Sequence, residues 1–137
     1  MKLLAVDTSS LACSVALSVD GTITERHAEE AKEHTRLLIP MMRELLREAG
    51  LDGEDLDAIV LGNGPGSFIG MRIAASVAQG LAYGSETPIA PVSSLAAVAA
   101  EVFDVTDAAE VIVAQDAHMN EVYLGAFRRD QQGLPLA

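Results

Sequence analysis

Two short stretches bring together residue types that can hold a phosphate. The first is Asp7-Thr8-Ser9-Ser10, directly after an apolar run. A carboxylate beside hydroxyls and backbone N–H groups at a strand end suits a metal-bound phosphate. The same residues also close a turn in which Asp and Ser bond their own backbone, and no glycine near Asp7 eases the approach of an anion to the chain. The second stretch is Gly62-Asn63-Gly64-Pro65-Gly66-Ser67-Phe68-Ile69-Gly70-Met71-Arg72. Its glycines permit positive φ and close approach to a ligand or another chain, and its place before a helix suits an anion. It is not a Walker A loop, because no Gly-Lys-Ser/Thr follows, and its spacing is not the dinucleotide fingerprint. Gly64, Pro65, Gly66 and Ser67 therefore stay open to two readings, a tight structural turn or an anion site.

Nothing else in the chain points to catalysis. His27, His34 and His118 are far apart and form neither HxxxH nor HExxH, so no metal is indicated and surface or capping roles fit. Ser67 lacks the Gly-x-Ser-x-Gly frame of a hydrolase. Cys13 lies on the apolar side of a strand and reads as a small buried hydrophobe; as the single cysteine it has no disulfide partner within the chain. Outside the two loops, then, the residues indicate neither a nucleophile nor a metal site.

The elements that position these stretches follow from periodicity. Leu3–Val6 is a short apolar strand. Over residues 12–19, Cys13, Val15, Leu17 and Val19 alternate onto one face. Asp20-Gly21 is a tight-turn signal and Thr22–His27 the returning strand. A helix is expected over Glu33–Ala49, with Leu38, Met41, Met42, Leu45 and Leu46 at three- and four-residue spacing and Gly50 as its stop. Pro40 inside it implies a kink or a later start. Ala58–Gly62 reads as a strand buried on both faces, Phe68–Tyr83 as a helix rich in small residues, Pro88–Val92 as a strand and Ser94–Phe103 as a helix capped by Ser93. The order β-β-β-α-β-α-β-α implies an α/β fold with a mixed sheet flanked by helices.

Val111–Gln115, Asp116, a short turn and the strand Glu121–Phe127 then echo the opening strand, Asp7, turn and strand. A repeat at that distance suggests a duplicated fold. We expect a complete lobe over 1–107 and the first strands of a truncated second lobe over 108–137.

Half of the 137 residues are hydrophobic, enough for a sizeable core, and no apolar run is long enough to span a bilayer. The opening reaches an acid too early for a signal peptide, so a soluble cytoplasmic protein is expected. Twenty acids against nine bases give a formal charge of −11. Such a surface repels phosphate backbones, which argues against direct, independent nucleic-acid binding and suits a basic protein partner.

Both long helices offer a docking face. The first spreads apolar residues widely: Leu37, Leu38, Met41 and Leu45 on one side, Ile39, Met42 and Leu46 around it. A single sheet needs one stripe, so the excess width suggests a partner. In the second, Gly70, Ala74, Ala78 and Ala82 recur every four residues and would let another helix come close. Both helices as plain core is the alternative.

LLAVDTSS, EHTRLLIPMM, GNGPGSFIGMRIA and VAQDAHMNEVYLGAF together resemble the TsaB family, formerly YeaZ, over nearly the whole chain, most specifically at GPGSF-x-G-x-R-I-A. The resemblance implies the actin-like, Hsp70-like (ribonuclease H-like) fold. It also implies a non-catalytic paralogue of TsaD, the threonylcarbamoyl transferase that modifies the adenosine next to the anticodon of tRNA. TsaD-like proteins carry a His-x-x-x-His metal pair where this chain has Pro91-Val92-Ser93-Ser94-Leu95-Ala96-Ala97-Val98. Serine and valine do not replace imidazole as ligands. The resemblance further implies docking on TsaD through a bundle of the first two helices, at Leu37, Leu38, Met41, Met42, Leu45, Met71, Arg72, Ala75, Ser76 and Gln79, followed by the ATPase TsaE, and self-association as a homodimer through the same helices. Asp7, Thr8, Ser9 and Gly64 to Ser67 would then be vestigial phosphate loops. Two alternatives are an actin-like nucleotide-binding phosphohydrolase using those loops and, more remotely, a metallopeptidase-like protein. Ile69 stands where the family usually has threonine and His118 where it usually has arginine. Family members also continue into a full second lobe.

Overall fold

The computed structural model describes residues 1–29 and 34–137, His34 and Thr35 by backbone only. Glu33, expected as the first residue of the first helix, lies outside the described residues. The elements are β1 (Lys2–Asp7), β2 (Cys13–Val19), β3 (Thr22–Ala28), α1 (His34–Glu48), β4 (Ala58–Gly62), α2 (Phe68–Ser85), β5 (Ile89–Val92), α3 (Ser94–Val105), β6 (Glu110–His118), β7 (Glu121–Arg129) and β8 (Pro135–Leu136). A 3-10 turn over Gly53–Asp55 and the two-residue β8 carry no periodicity and were not expected.

The chain divides into two compact units, 1–91 and 92–137. In the first, the strands lie in the order β3-β2-β1-β4-β5. β1 runs antiparallel to β2, from Lys2 opposite Val19 to Asp7 opposite Ser14, and parallel to β4. The β2–β3 turn has positive φ at both Asp20 (51°) and Gly21 (90°), the geometry that matches the twist of a two-residue hairpin. The parallel β1–β4 pair needs a long crossover, which includes α1. α1 packs on β2 and β3, and α2 on β4 and β1. Leu4, Val6, Cys13, Val15, Leu17, Ile59 and Leu61 supply the sheet side of the core.

α1 contains Pro40 within its span rather than starting after it. α2 runs two residues further than the periodicity suggests and ends on Glu86 in the left-handed conformation. No helix among the described residues is long and apolar enough to cross a membrane.

In the second unit β6, β7 and β8 form an antiparallel sheet in chain order. α3 buries Leu95, Ala99 and Phe103 with Val113, and Val111 and Phe127 pack beside them. Contacts thus group α3 with β6–β8, whereas chain order groups it with the lobe expected over 1–107.

Candidate functional site

The two stretches expected as phosphate loops meet each other. Asp7 Oδ1 accepts from the Ser9 N–H at 2.7 Å and from Ser9 Oγ at 2.6 Å, closing the turn on itself. Thr8 and Ser9 are buried, and the Thr8 hydroxyl donates to the Gly70 carbonyl. The Ser67 N–H donates to the Ser9 carbonyl at 2.7 Å, while Ser67 Oγ caps α2 by accepting from the Gly70 N–H at 3.2 Å.

The glycines are explained by this contact. A Cβ on Gly66 would collide with the Ser9 backbone and one on Gly70 with the Thr8 carbonyl oxygen; one on Gly62 would lie 2.5 Å from the Asp7 carboxyl. Gly64 takes a φ of +80°, and a Cβ there would meet Met71 Sδ at 2.7 Å. Of the two partners the glycines allowed, ligand or chain, this chain's own turn fills the space at Gly66 and Gly70. Pro65 is partly buried between them.

Among the described residues no three His, Cys, Asp or Glu side chains gather as a metal site. His27 Nδ1 lies 2.8 Å from Ser14 Oγ, and exposed His118 sits beside Asp116. Cys13 is fully buried, and that burial pushes its thiol pKa up, away from thiolate chemistry.

The helices separate into a core side and an open side. Leu38, Met41, Met42 and Leu45 are buried in the chain's own core. As the chain stands these four have almost no surface to offer a partner. Their covering is internal because α1 spans two strands and also touches α2. The small stripe of α2 is likewise used at home: Gly70, Ala74 and Ala78 are buried, so the expectation that they admit a foreign helix is corrected.

What remains open is a different set. Leu37, Met71 and Ala75 are partly buried, and Arg72, Ser76 and Gln79 are exposed. Around them Phe68 (73%), Ile69 (70%) and Tyr83 (91%) are exposed, with Ile39 at 42%. The Arg72 guanidinium lies 5.1 Å from the Phe68 ring centre. A groove of about 370 Å³ runs between the helices, lined by Leu38, Ile69, Arg72, Ile73, Ser76 and Val77. The docking residues expected from the sequence did not include Phe68, Ile69 or Tyr83. Placing the small residues 70, 74 and 78 inward on a helical wheel would have turned residues 69, 76 and 83 outward.

The comparisons with known proteins agree with this architecture. The sequence profile of TsaD, described as tRNA N6-adenosine threonylcarbamoyltransferase, matches residues 23–135. The tRNA threonylcarbamoyladenosine biosynthesis protein TsaB of Haemophilus influenzae is 44% identical over 131 residues, covering 96% of this chain and 56% of that protein. TsaB of Escherichia coli K12 is 42% identical over 134 residues, covering 98% of this chain and 58% of that protein. The solved structure of YeaZ from Pseudomonas aeruginosa superposes with a TM-score of 0.92 at 44% identity, covering 98% of this chain and 63% of that one. The chain thus spans rather more than half the length of the relatives it matches. Its fold is the actin-like, ribonuclease H-like one, and the chain belongs to the TsaD family, with TsaB/YeaZ proteins as its relatives there.

Proposed function

We propose that this chain serves tRNA threonylcarbamoyladenosine biosynthesis as a non-catalytic subunit that docks on the transferase TsaD, with TsaE joining the pair. The observation that carries the reading is identity above 40% to TsaB proteins along nearly the whole chain. The non-catalytic part rests on residues 91–98, which hold serines and alkyl groups where a transferase needs imidazoles. The docking face is the open side of α1 and α2, with Ile69, Arg72, Ser76, Gln79 and Tyr83 at its surface and Leu37, Met71 and Ala75 at its margin. Leu38, Met41, Met42 and Leu45 support that face from below. A homodimer through the same helices would use the same groove, so TsaD and a second copy compete. The place of action is the cytoplasm, where tRNA is modified.

The nucleotide-hydrolase alternative has less behind it. Its carboxylate and hydroxyls at Asp7, Thr8 and Ser9 are already bonded within the chain.

The test is co-purification of the chain with TsaD. Ser76 sits exposed in the groove, so Ser76→Arg leaves the fold intact and buries an unpaired charge on docking. Affinity should fall by about thirtyfold or more. Retained binding in this variant rules out the face; absence of binding by the unaltered chain rules out the reading.

A further inference from the structure

We propose that Arg72 selects the occupant of the α1–α2 groove, and that the arginines of this face favour a carboxylate-bearing apolar helix of TsaD over a second copy of this chain. The inference rests on the docking reading and adds the chemistry of the partner. α2 carries one charged side chain in 18 residues, Arg72. It stands exposed at the lip of a groove whose other lining is Leu38, Ile69, Ile73, Val77 and the Ser76 hydroxyl. Its guanidinium lies over the Phe68 ring and forms no ion pair among the described residues. Filling the groove takes Arg72 out of water. A buried guanidinium then needs an acceptor, and a carboxylate taking two parallel N–H bonds suits its planar fork best.

This chain offers Arg72 no such carboxylate. The two acids of α1, Glu44 and Glu48, are held by Arg26 of the edge strand β3 at 3.2 and 2.7 Å. α2 packs on β4 and β1 instead, so those acids sit on the far side of α1. Toward α2, α1 exposes Arg43 and Arg47 into a second hollow of about 370 Å³, and Gly53 of that hollow faces Leu81 of α2. Asp52 lines the hollow too, yet neither arginine forms an ion pair among the described residues. Twenty acids against nine bases would make an average face acidic; this one gathers cations. The bordering acids, Asp52 and Glu54, lie beside Gly80 and Gly84. That is about 12–18 Å along α2 from Arg72, beyond a screening length of about 8 Å. A second copy laid groove on groove therefore brings arginine to an arginine-lined face. An apolar helix with flanking acids fits the groove as helix-in-groove recognition does. The acidic remainder of this chain repels such a helix elsewhere, so charge also fixes where it lands.

The experiment measures the affinity of the full chain for TsaD at low and high salt, with self-association followed by sedimentation velocity in the same buffers. High salt should weaken TsaD binding by about tenfold or more, while self-association holds level or rises. Arg72→Ala should weaken TsaD binding by about thirtyfold or more at low salt and flatten its salt dependence. Arg72→Lys, which keeps the charge without the fork, should fall between the two. Should the alanine variant fold poorly, Arg72→Gln gives the same reading. An Arg72→Ala chain that binds like the unaltered one, or that loses affinity with its salt dependence unchanged, overturns the proposal and leaves the docking reading standing. Self-association that weakens with salt as steeply as TsaD binding overturns the choice of occupant. Absence of TsaD binding by the unaltered chain overturns the docking reading, and this inference with it.

Discussion

At the scale of single residues, Gly70 decides how α2 meets the sheet. Its Cα lies against the Thr8 carbonyl, and a methyl group there would occupy the space of a backbone atom that cannot rotate aside. Gly70→Ala should destabilise the chain by about 1–3 kcal/mol, the usual cost of overpacking. Gly80 lies in the same helix with open space beside it. Gly80→Ala should instead stabilise by about 0.5–1 kcal/mol, through helix propensity alone. Urea denaturation of the two variants separates close packing from propensity, and equal effects would discount the contact. The glycine spacing made a close approach legible in the sequence, but its partner was not. Thr8 lies 62 residues away from Gly70, and no local pattern links them. Asp7 was more readable, because the bond its carboxylate accepts from the Ser9 N–H spans only two residues.

At the scale of elements, α1 shows what periodicity conveys and what it omits. Spacing identified the apolar residues of α1 and their shared side. It did not reveal how many neighbours that side would meet. A helix lying over β2 and β3 and touching α2 needs a wide stripe, and Leu38, Met41, Met42 and Leu45 fill it from within. The residues that stay outside, Ile39 among them, are fewer than the raw width suggested. Leu45→Ala should therefore cost about 2–5 kcal/mol, as for a buried leucine that leaves a cavity. Ile39→Ala should stay within about 0.5 kcal/mol in the isolated chain. Thermal denaturation tests both, and a small cost at Leu45 would mean that α1 is held only loosely on its sheet. Pro40 was harder to place, since a proline inside a helix costs a hydrogen bond that burial on both sides of it can offset.

At the scale of the whole molecule, the duplicated pattern has a counterpart in geometry. Asp116 Oδ1 accepts from the His118 N–H at 2.8 Å, the same bond that Asp7 makes two residues on to Ser9. α3 tells how the second unit is held. Its core is small: Leu95, Ala99, Phe103 and Val113 are buried, and the Arg129 guanidinium covers Phe103 at 4.8 Å while donating to the Thr106 and Ala108 carbonyls. Among the described residues the buried core of Val92–Ala137 is smaller than that of Met1–Pro91, and a small core stabilises little. Hydrogen exchange should therefore find the amides of β6 and β7 opening before those of β1, β2 and β4. Phe103→Ala removes the largest side chain of that core, at about 3–5 kcal/mol, more than so small a core can lose. The protection of β6 and β7 should then disappear while that of β1, β2 and β4 persists. Uniform loss across all five strands would show instead that the chain unfolds as one cooperative body, and the division at Pro91 would have no energetic meaning.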